Sequence, residues 1–232
     1  MDRNAYNDRD RNMHDRDMDG KNDGTEVVAA LFGTTSRAVA ALEDLAANGF
    51  DRSHINLIAN DVEGQYSMYF DDDGNYIASE DDNTTAGEGA AAGGGIGALL
   101  GGAGGVIAGL GLIAIPGIGP ALAAGPIVAG LVGAGAGAVA GGLVGAMVNA
   151  GMPKEDADRY AEGVRRGGTL LLLRVEPGER ATEAHRILHS HDPIDLEDHS
   201  RRWQESGWRG YEPDAAPLTR QEILRERDDW RV

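Results

Sequence analysis

The stretch PKEDADRYAEGVRRGGTLLLLRV, residues 153–175, decides the fold because it predicts a helix, a sharp stop and a buried strand in succession. Pro153 suits the first turn of a helix, where its missing N–H costs nothing. Two glycines at 167–168 then end the helix. The run TLLLLRV that follows at 169–175 is the clearest strand in the chain. The apolar stripe of the helix consists of Ala157, Tyr160, Ala161 and Val164.

Similar elements flank this stretch on both sides. Downstream, hydrophobic periodicity predicts a helix over about 179–190 and a short last strand around Ile194 and Leu196. Upstream, EVVAALF at 26–32 and INLIA at 55–59 predict two strands, with a helix of about 13 residues between them. The N-cap candidates of this helix are residues 34–36, and Gly49 is predicted to end it. Each half of the chain therefore contains a βαβ unit, which should cross over with a right hand.

The fold class that these elements predict is α+β. Two βαβ halves supply four strands and two covering helices, which suits a ferredoxin-like split βαβ sandwich interrupted by a glycine-rich apolar helical hairpin. Thr219 and Glu222 have the spacing of a capping box, which predicts a short helix near the C-terminus. The predicted segments are a disordered tail at 1–24, the first half of the α+β domain at 25–62, an acidic loop at 63–88, the glycine-zipper hairpin at 89–151, the second half of the domain at 152–198, and a tail at 199–232 that contains all three tryptophans.

Charge and composition exclude several classes of protein. The chain has 21 Lys and Arg against 38 Asp and Glu, for a net charge of −17. Nucleic-acid binding needs basic residues that displace counterions from phosphates, so we expect no nucleic-acid partner. The chain has no cysteine, which excludes disulfides, thiolate metal sites and a cysteine nucleophile. The first 20 residues have no apolar region like that of a secretory signal, which favours a cytoplasmic start.

No charged residue occurs between Glu88 and Lys154, and the 65 positions between them hold 22 of the 35 glycines. Glycine or alanine recurs at every fourth position on either side of a PGIGP break at 116–120. This spacing predicts two helices, at 89–115 and 121–150, and each has more than the roughly 20 apolar residues that a membrane span needs. The stripe that packs these helices together would consist of Gly93, Gly97, Gly101, Gly105, Gly109, Gly133, Gly137, Gly141 and Gly145.

This glycine block has three interpretations, of which the last is a disordered low-complexity segment. In the first, the hairpin enters the cytoplasmic membrane and contacts lipid. Both termini then lie in the cytoplasm, because an even number of spans returns the chain to the side that it left. In the second, the hairpin is a soluble element that hides its apolar faces in a cytoplasmic homo-oligomer. In water, each helical glycine costs about 1 kcal/mol relative to alanine, which favours the membrane interpretation.

No group of residues predicts catalysis, a cofactor or a metal site. His185 and His189 have the i, i+4 spacing of two metal ligands, but the sequence fixes no third ligand. The DDDG run at 71–74 does not fit the twelve-residue register of a calcium loop. The glycine pairs at 133–138 lie inside a repeat, and a phosphate loop would lie between a strand and a helix. We therefore expect a protein that is not an enzyme.

Several short stretches resemble one bacterial family. They are VVAALF at 27–32, GF at 49–50, INLIAND at 55–61, AIPGIGP at 114–120, GMP at 151–153 and YAEGVRRGGTLLLLRV at 160–175. Over residues 25–198 they are similar to the general stress protein 17M-like (heat-induced stress protein) domain, in versions that carry a glycine-rich hydrophobic insert. The resemblance implies an association with bacterial stress and no established catalytic residues.

The sequence therefore predicts a non-enzymatic bacterial general stress protein. This protein would attach to the membrane, or assemble with itself, through the glycine-zipper hairpin. The alternative, from a different class, is a soluble oligomeric sensor or binding module whose α+β domain binds a small ligand or a protein partner. The sequence does not identify that ligand.

Overall fold

The computed structural model describes residues 24–62, 64, 66, 111–125 and 142–230. Some of the predicted segments lie outside these residues. They are the N-terminal tail at 1–23, almost all of the acidic loop with its DDDG turn at 71–74, and the parts of the glycine block at 89–110 and 126–141.

The described chain is α+β, with one five-stranded antiparallel sheet and six helices. The strands are β1 (Glu26–Phe32), β2 (Ile55–Asn60), β3 (Gly111–Ile115), β4 (Gly119–Ala124) and β5 (Thr169–Val175). The helices are α1 (Thr35–Ala47), α2 (Gly142–Asn149), α3 (Lys154–Arg165), α4 (Glu179–His189), α5 (Leu196–Glu205) and α6 (Arg220–Asp229). A short 3-10 helix, Arg52–His54, precedes β2.

The order of strands across the sheet is β1-β5-β2-β4-β3. β5 runs antiparallel to both of its neighbours, and Leu171 lies opposite Ala30 of β1 on one side and Leu57 of β2 on the other. β1 and β2 are therefore parallel to each other, with β5 between them. The sheet thus joins strands that precede the uncharged block to a strand that follows it.

Helices cover both faces of the sheet. The core under α1 and α4 includes Leu171 of β5, and the core under α2 and α3 includes its neighbour Leu172. Both side chains have 0% of their surface exposed. A strand that is buried on both faces has no polar alternation, which explains why β5 is a nearly continuous apolar run.

Local signals in the sequence place several helix ends. The Thr34 hydroxyl accepts a hydrogen bond from the Arg37 backbone N–H at the start of α1. Gly49 follows α1 with a φ of 80°, a conformation that favours glycine. The predicted capping box between Thr219 and Glu222 is confirmed, because both of its reciprocal hydrogen bonds are present at the start of α6.

The uncharged block contains a β-hairpin where the sequence predicted the junction of two long helices. β3 and β4 pair antiparallel, with Ile115 opposite Gly119. The Ile118 N–H donates to the Ile115 carbonyl oxygen at 3.0 Å across the turn. The period-four glycine pattern stops at Gly109 and resumes only at Gly125, so the helical signal is interrupted where the hairpin forms. Two prolines at the turn also oppose a continuous helix.

No helix in the described ranges is long and apolar enough to cross a membrane. α2, which lies in the glycine block, has eight residues. Its length is therefore about 12 Å, at about 1.5 Å per residue. The hydrocarbon core of a bilayer is roughly 30 Å thick. The predicted transmembrane hairpin is thus wrong across residues 111–125, and the assignment to the cytoplasmic membrane with both termini in the cytoplasm, which depended on two spans, is corrected with it.

The predicted last strand around residues 194–196 is also wrong. Ile194 donates one backbone hydrogen bond to the Leu31 carbonyl oxygen, at 2.8 Å, but Leu196 is already the first residue of α5. The Asp195 side chain accepts from the Asp198 backbone N–H and caps the helix. Acidic residues in the first turn also favour the helix, because they face the positive end of its dipole. The chain therefore leaves β1 after one backbone hydrogen bond among the described residues.

Gly145 is the one member of the predicted packing stripe that the structure describes, since the other eight glycines lie outside the described residues. Its α-carbon lies in α2, and a Cβ added there would meet no described atom within 4 Å. We expect Gly145→Ala to raise the free energy of unfolding by about 0.5–1 kcal/mol, because alanine loses less backbone entropy in a helix. Urea unfolding measures this change.

Gly151→Ala is the control for this prediction. Gly151 also has open space around it, but its φ is 105°, so alanine should be strained there and destabilise the protein. A loss of stability at Gly145 would contradict the expectation, and would instead favour a helix that packs closely on this position as the zipper predicts.

Candidate functional site

β1 forms one edge of the sheet, and no other strand of the described ranges lies on its outer side. The backbone groups of alternate residues point to opposite sides of a strand. The Leu31 carbonyl oxygen accepts from Ile194, and the Ala29 carbonyl oxygen accepts from Tyr160, and neither donor belongs to β5. The N–H and C=O groups of Leu31, Ala29 and Val27 therefore point away from the sheet.

A cleft of about 560 Å³ lies along this outer edge of β1. Val27 and Ala29 line it from the strand, Tyr160 lines it from α3, and Leu196 lines it from the start of α5. The two strand residues are half-buried. The chain forms a backbone hydrogen bond with β1 at Leu31 and then turns away into α5. The rest of the strand edge therefore has helices beside it, but no strand from the described part of the chain.

Tyr160 occupies one of the hydrogen-bond acceptors that face the cleft. Its hydroxyl donates to the Ala29 carbonyl oxygen at 3.0 Å. Burial, with a smaller contribution from the Asp156 carboxylate, raises the pKa of Tyr160 to about 12, so the hydroxyl keeps its proton at neutral pH. Tyr160 is therefore positioned to compete with any ligand that would hydrogen-bond to Ala29.

The cleft is acidic. Its lining includes the carboxylates of Glu26, Asp156 and Glu197 and one guanidinium, that of Arg159. Arg159 pairs with Asp156 at 3.3 Å. The Glu26 carboxylate lies 3.9 Å from Nε2 of His185, a pair that is ionic only when the imidazole is protonated. Within the described part of the chain, Glu197 forms no ion pair. Two of the three carboxylates thus lack a permanently charged partner among the described side chains.

A second cleft, of about 400 Å³, lies at the same end of the sheet. Arg180 lines this cleft, and its guanidinium carbon lies 3.8 Å from the centre of the Phe50 ring. Arg180 also donates to the carbonyl oxygens of Asn48 and Gly49, at 3.3 and 3.0 Å, and pairs with Glu183 at 2.8 Å. This guanidinium holds the loop after α1 in place, so the second cleft is the weaker candidate for ligand binding.

The segment YAEGVRRGG at 160–168, the most specific part of the family resemblance, connects the layers of the fold. A Cβ at Gly163 would lie 2.3 Å from Cδ2 of Leu31, so α3 packs on β1 at van der Waals distance. A Cβ at Gly167 would lie 2.4 Å from Cγ2 of Ile223, so α6 packs equally closely on the end of α3. The glycines of this segment therefore have a packing role.

The described residues supply no third ligand for the candidate metal pair His185 and His189. His185 lies at the cleft and His189 is exposed on α4. His191 instead contacts the Asp44 carboxylate, at 3.0 Å. Among the residues that the structure describes, no three His, Cys, Asp or Glu side chains form a group that could hold a metal ion. Apart from His185, none of the cleft residues was identified as functional from the sequence, because the cleft results from a strand that does not form.

The described residues form an α+β fold with an acidic cleft along the outer edge of β1, where no described strand pairs. Comparisons with known proteins add no assignment to this description: no family model matches the chain, and no curated protein and no solved structure matches it.

Proposed function

We propose that this protein is a non-enzymatic binding module that captures an extended segment of a partner protein as an added strand on β1. The observation that carries the proposal is the cleft of about 560 Å³ beside the outward-pointing backbone groups of Val27 and Ala29. The open edge of a sheet is a template for another chain, and proteins usually cover it. In this mode of recognition, backbone hydrogen bonds supply affinity and the surrounding side chains supply specificity.

The topology supports this placement. The parallel strands β1 and β2 are joined by α1 and have β5 between them, which supports a split βαβ unit, and we therefore include a ferredoxin-like fold in the proposal. The strand predicted near Ile194 would have completed such a sandwich. Ile194 makes the first hydrogen bond of that ladder, to Leu31, and the chain then leaves the edge. A captured segment would continue the same ladder at Ala29 and Val27.

The association with bacterial stress comes from the sequence resemblance, and it is part of the proposal. Partly unfolded proteins expose apolar surface and unpaired strand edges, so a module that captures extended segments suits stress conditions. Self-assembly through the glycine stripe stays a prediction, because eight of its nine residues lie outside the described ranges.

Val27→Pro tests the proposal. Proline removes the outward N–H of residue 27, and it leaves unchanged the residues whose backbone groups point toward β5. The probe is a fluorescein-labelled seven-residue peptide in which valine alternates with serine, and fluorescence anisotropy with the full-length protein measures its Kd. We expect the Kd to rise at least about tenfold, because the added strand loses a backbone hydrogen bond and meets the proline ring.

Two further variants control this experiment. Val27→Thr keeps both the N–H and the branched shape of residue 27, so it should bind like the wild type. Tyr160→Phe frees the Ala29 carbonyl oxygen and should lower the Kd several-fold, so it tests the same edge without a proline. Binding that is unchanged in both Val27→Pro and Tyr160→Phe, or no binding by the wild type, would refute the proposal.

A further inference from the structure

We infer that the segment captured at the edge of β1 is cationic, with a lysine or arginine on each side of the added strand. This inference rests on the proposed function and adds the chemistry of the partner. Successive side chains of a strand point to opposite faces of the sheet, so a captured segment would present adjacent side chains to two different walls of the cleft. Each wall carries a carboxylate that can receive a positive charge.

The first wall lies on the side of α3 and α5. Arg159 and Asp156 neutralise each other there, at 3.3 Å, and leave Glu197 as the remaining charge. The start of α5 contributes the positive end of a helix dipole, equivalent to about half an elementary charge. That partial charge is outweighed by Asp195, which caps the helix, and by Glu197 beside it. A basic side chain of the captured segment would therefore meet net negative potential on this wall.

The second wall lies on the side of α4. Glu26 is on the same face of β1 as Val28, and Val28 packs in the core under α1 and α4. Its carboxylate is half-exposed, with 47% of the side-chain surface accessible, and its nearest cationic partner is His185 at 3.9 Å. A lysine or arginine on this side of the strand would supply a permanent charge where the imidazole supplies one only when protonated.

A second copy of this chain fits the edge poorly. Each copy brings three carboxylates and one guanidinium to the cleft, so edge-to-edge pairing of two copies would double the excess of negative charge in a narrow space. Like charges across an interface disfavour a wrong partner. The chain as a whole has a net charge of −17, which adds to the repulsion between copies at low salt. Charge complementarity therefore selects a basic partner.

The test compares three peptides on the full-length protein. Residues 3 and 4 of a seven-residue fluorescein-labelled peptide are both serine, both lysine or both glutamate, and valine and serine alternate at the other positions. The two variable side chains therefore point to opposite walls of the cleft. Anisotropy gives each Kd at low salt. We expect the lysine peptide to bind about tenfold more tightly than the serine peptide, because two partly exposed ion pairs form. The glutamate peptide should bind more weakly than the serine peptide. The preference for lysine should shrink at about 0.5 M NaCl, where charges are screened.

The variant Glu26→Gln/Glu197→Gln should lose most of the preference for lysine and keep the affinity for the serine peptide. Glu43→Gln, which changes an exposed carboxylate of α1 away from the cleft, is the matched control and should keep the full preference.

Equal Kd values for the three peptides would overturn the cationic inference and leave strand capture intact. A failure of all three peptides to bind would overturn the proposed function as well. A dimer in sedimentation experiments that Val27→Pro converts to a monomer would overturn the inference in favour of a second copy as the occupant.

Discussion

Gly125→Ala should lower the free energy of unfolding by about 3 kcal/mol, through a backbone clash combined with a strained conformation. Gly125 follows β4 with a φ of 108°, which favours glycine. An added Cβ would lie 2.5 Å from the Ile55 carbonyl oxygen and 2.8 Å from the Asn56 Cα. Both atoms belong to the backbone of β2, so no change of rotamer can relieve the contact. The end of β4 would have to separate from β2.

Gly49→Ala is the matched control for this prediction. Gly49 also has a positive φ, 80°, but an added Cβ there would meet nothing within 4 Å. Its replacement should therefore cost only the conformational part, about 1 kcal/mol. Urea unfolding of both variants, analysed with a common dependence of the unfolding free energy on urea concentration, separates the cost of the clash from the cost of the backbone conformation. Equal losses at the two positions would contradict the clash and show that β2 moves aside at little cost.

The elements that the sequence predicted well are those whose signals are local. β5 is a run of apolar residues with glycines immediately before it, and nothing in the neighbouring sequence competes with a strand there. The helix ends at Thr34 and Thr219 depend on hydrogen bonds between residues three apart, so they can be identified without knowledge of the tertiary structure. The same holds for Gly49, where the chain leaves α1.

The hairpin of β3 and β4 could not be predicted because its stability comes from contacts distant in sequence. β4 pairs with β2, and Leu57 lies opposite Ala124. A residue distant in sequence also stabilises the β3–β4 turn, because the Tyr211 hydroxyl donates a hydrogen bond to the Pro116 carbonyl oxygen. A composition of glycine, alanine and isoleucine favours a glycine zipper as readily as a β-hairpin. The contacts with β2 and Tyr211, which are distant in sequence, stabilise the hairpin.

The candidate site has a different reason for being unpredictable. The site depends on the outward backbone groups of Val27 and Ala29. These groups face a cleft because no described strand pairs with that side of β1. One signal was present in the sequence, since Asp195 begins a segment with two further acids at 197 and 198, which is typical of the start of a helix. The apolar pair at 194 and 196 suggested a strand instead. The N-cap at Asp195 decides the structure of this segment, so no strand among the described residues pairs with the outer edge of β1.

The second large effect that we expect is at Glu162, which connects α3 to two other parts of the fold through its arginine partners. Its side chain is 1% exposed, and Oε1 accepts from Nε of Arg166 at 2.7 Å and from Nη1 of Arg165 at 3.3 Å. Nε of Arg165 donates a hydrogen bond to the Gly117 carbonyl oxygen in the β3–β4 turn, at 3.1 Å. Arg166 lies 4.8 Å from the centre of the Trp203 ring in α5. One carboxylate therefore orients both guanidiniums.

Glu162→Ala should lower the free energy of unfolding by about 2–3 kcal/mol, because removing one partner of a buried ion pair leaves the other charges without compensation. The effect should fall at the low end of the range for buried pairs, since the two arginine side chains are 17% and 15% exposed and keep their other partners. Urea unfolding of the full-length protein measures the change. Glu162→Gln keeps an acceptor oxygen without the charge, so it should lose roughly half as much.

Asp156→Ala in the same helix is the control for this last prediction. Asp156 also pairs with an arginine three residues away, but its side chain is 44% exposed, so the pair is screened by water. Its loss should cost less than about 1 kcal/mol. If the two variants lost the same stability, Glu162 would act as an ordinary surface charge. The packing of YAEGVRRGG against its neighbours would then depend on Gly163 and Gly167 alone, and replacing those glycines, not the carboxylate, would separate α3 from β1 and α6.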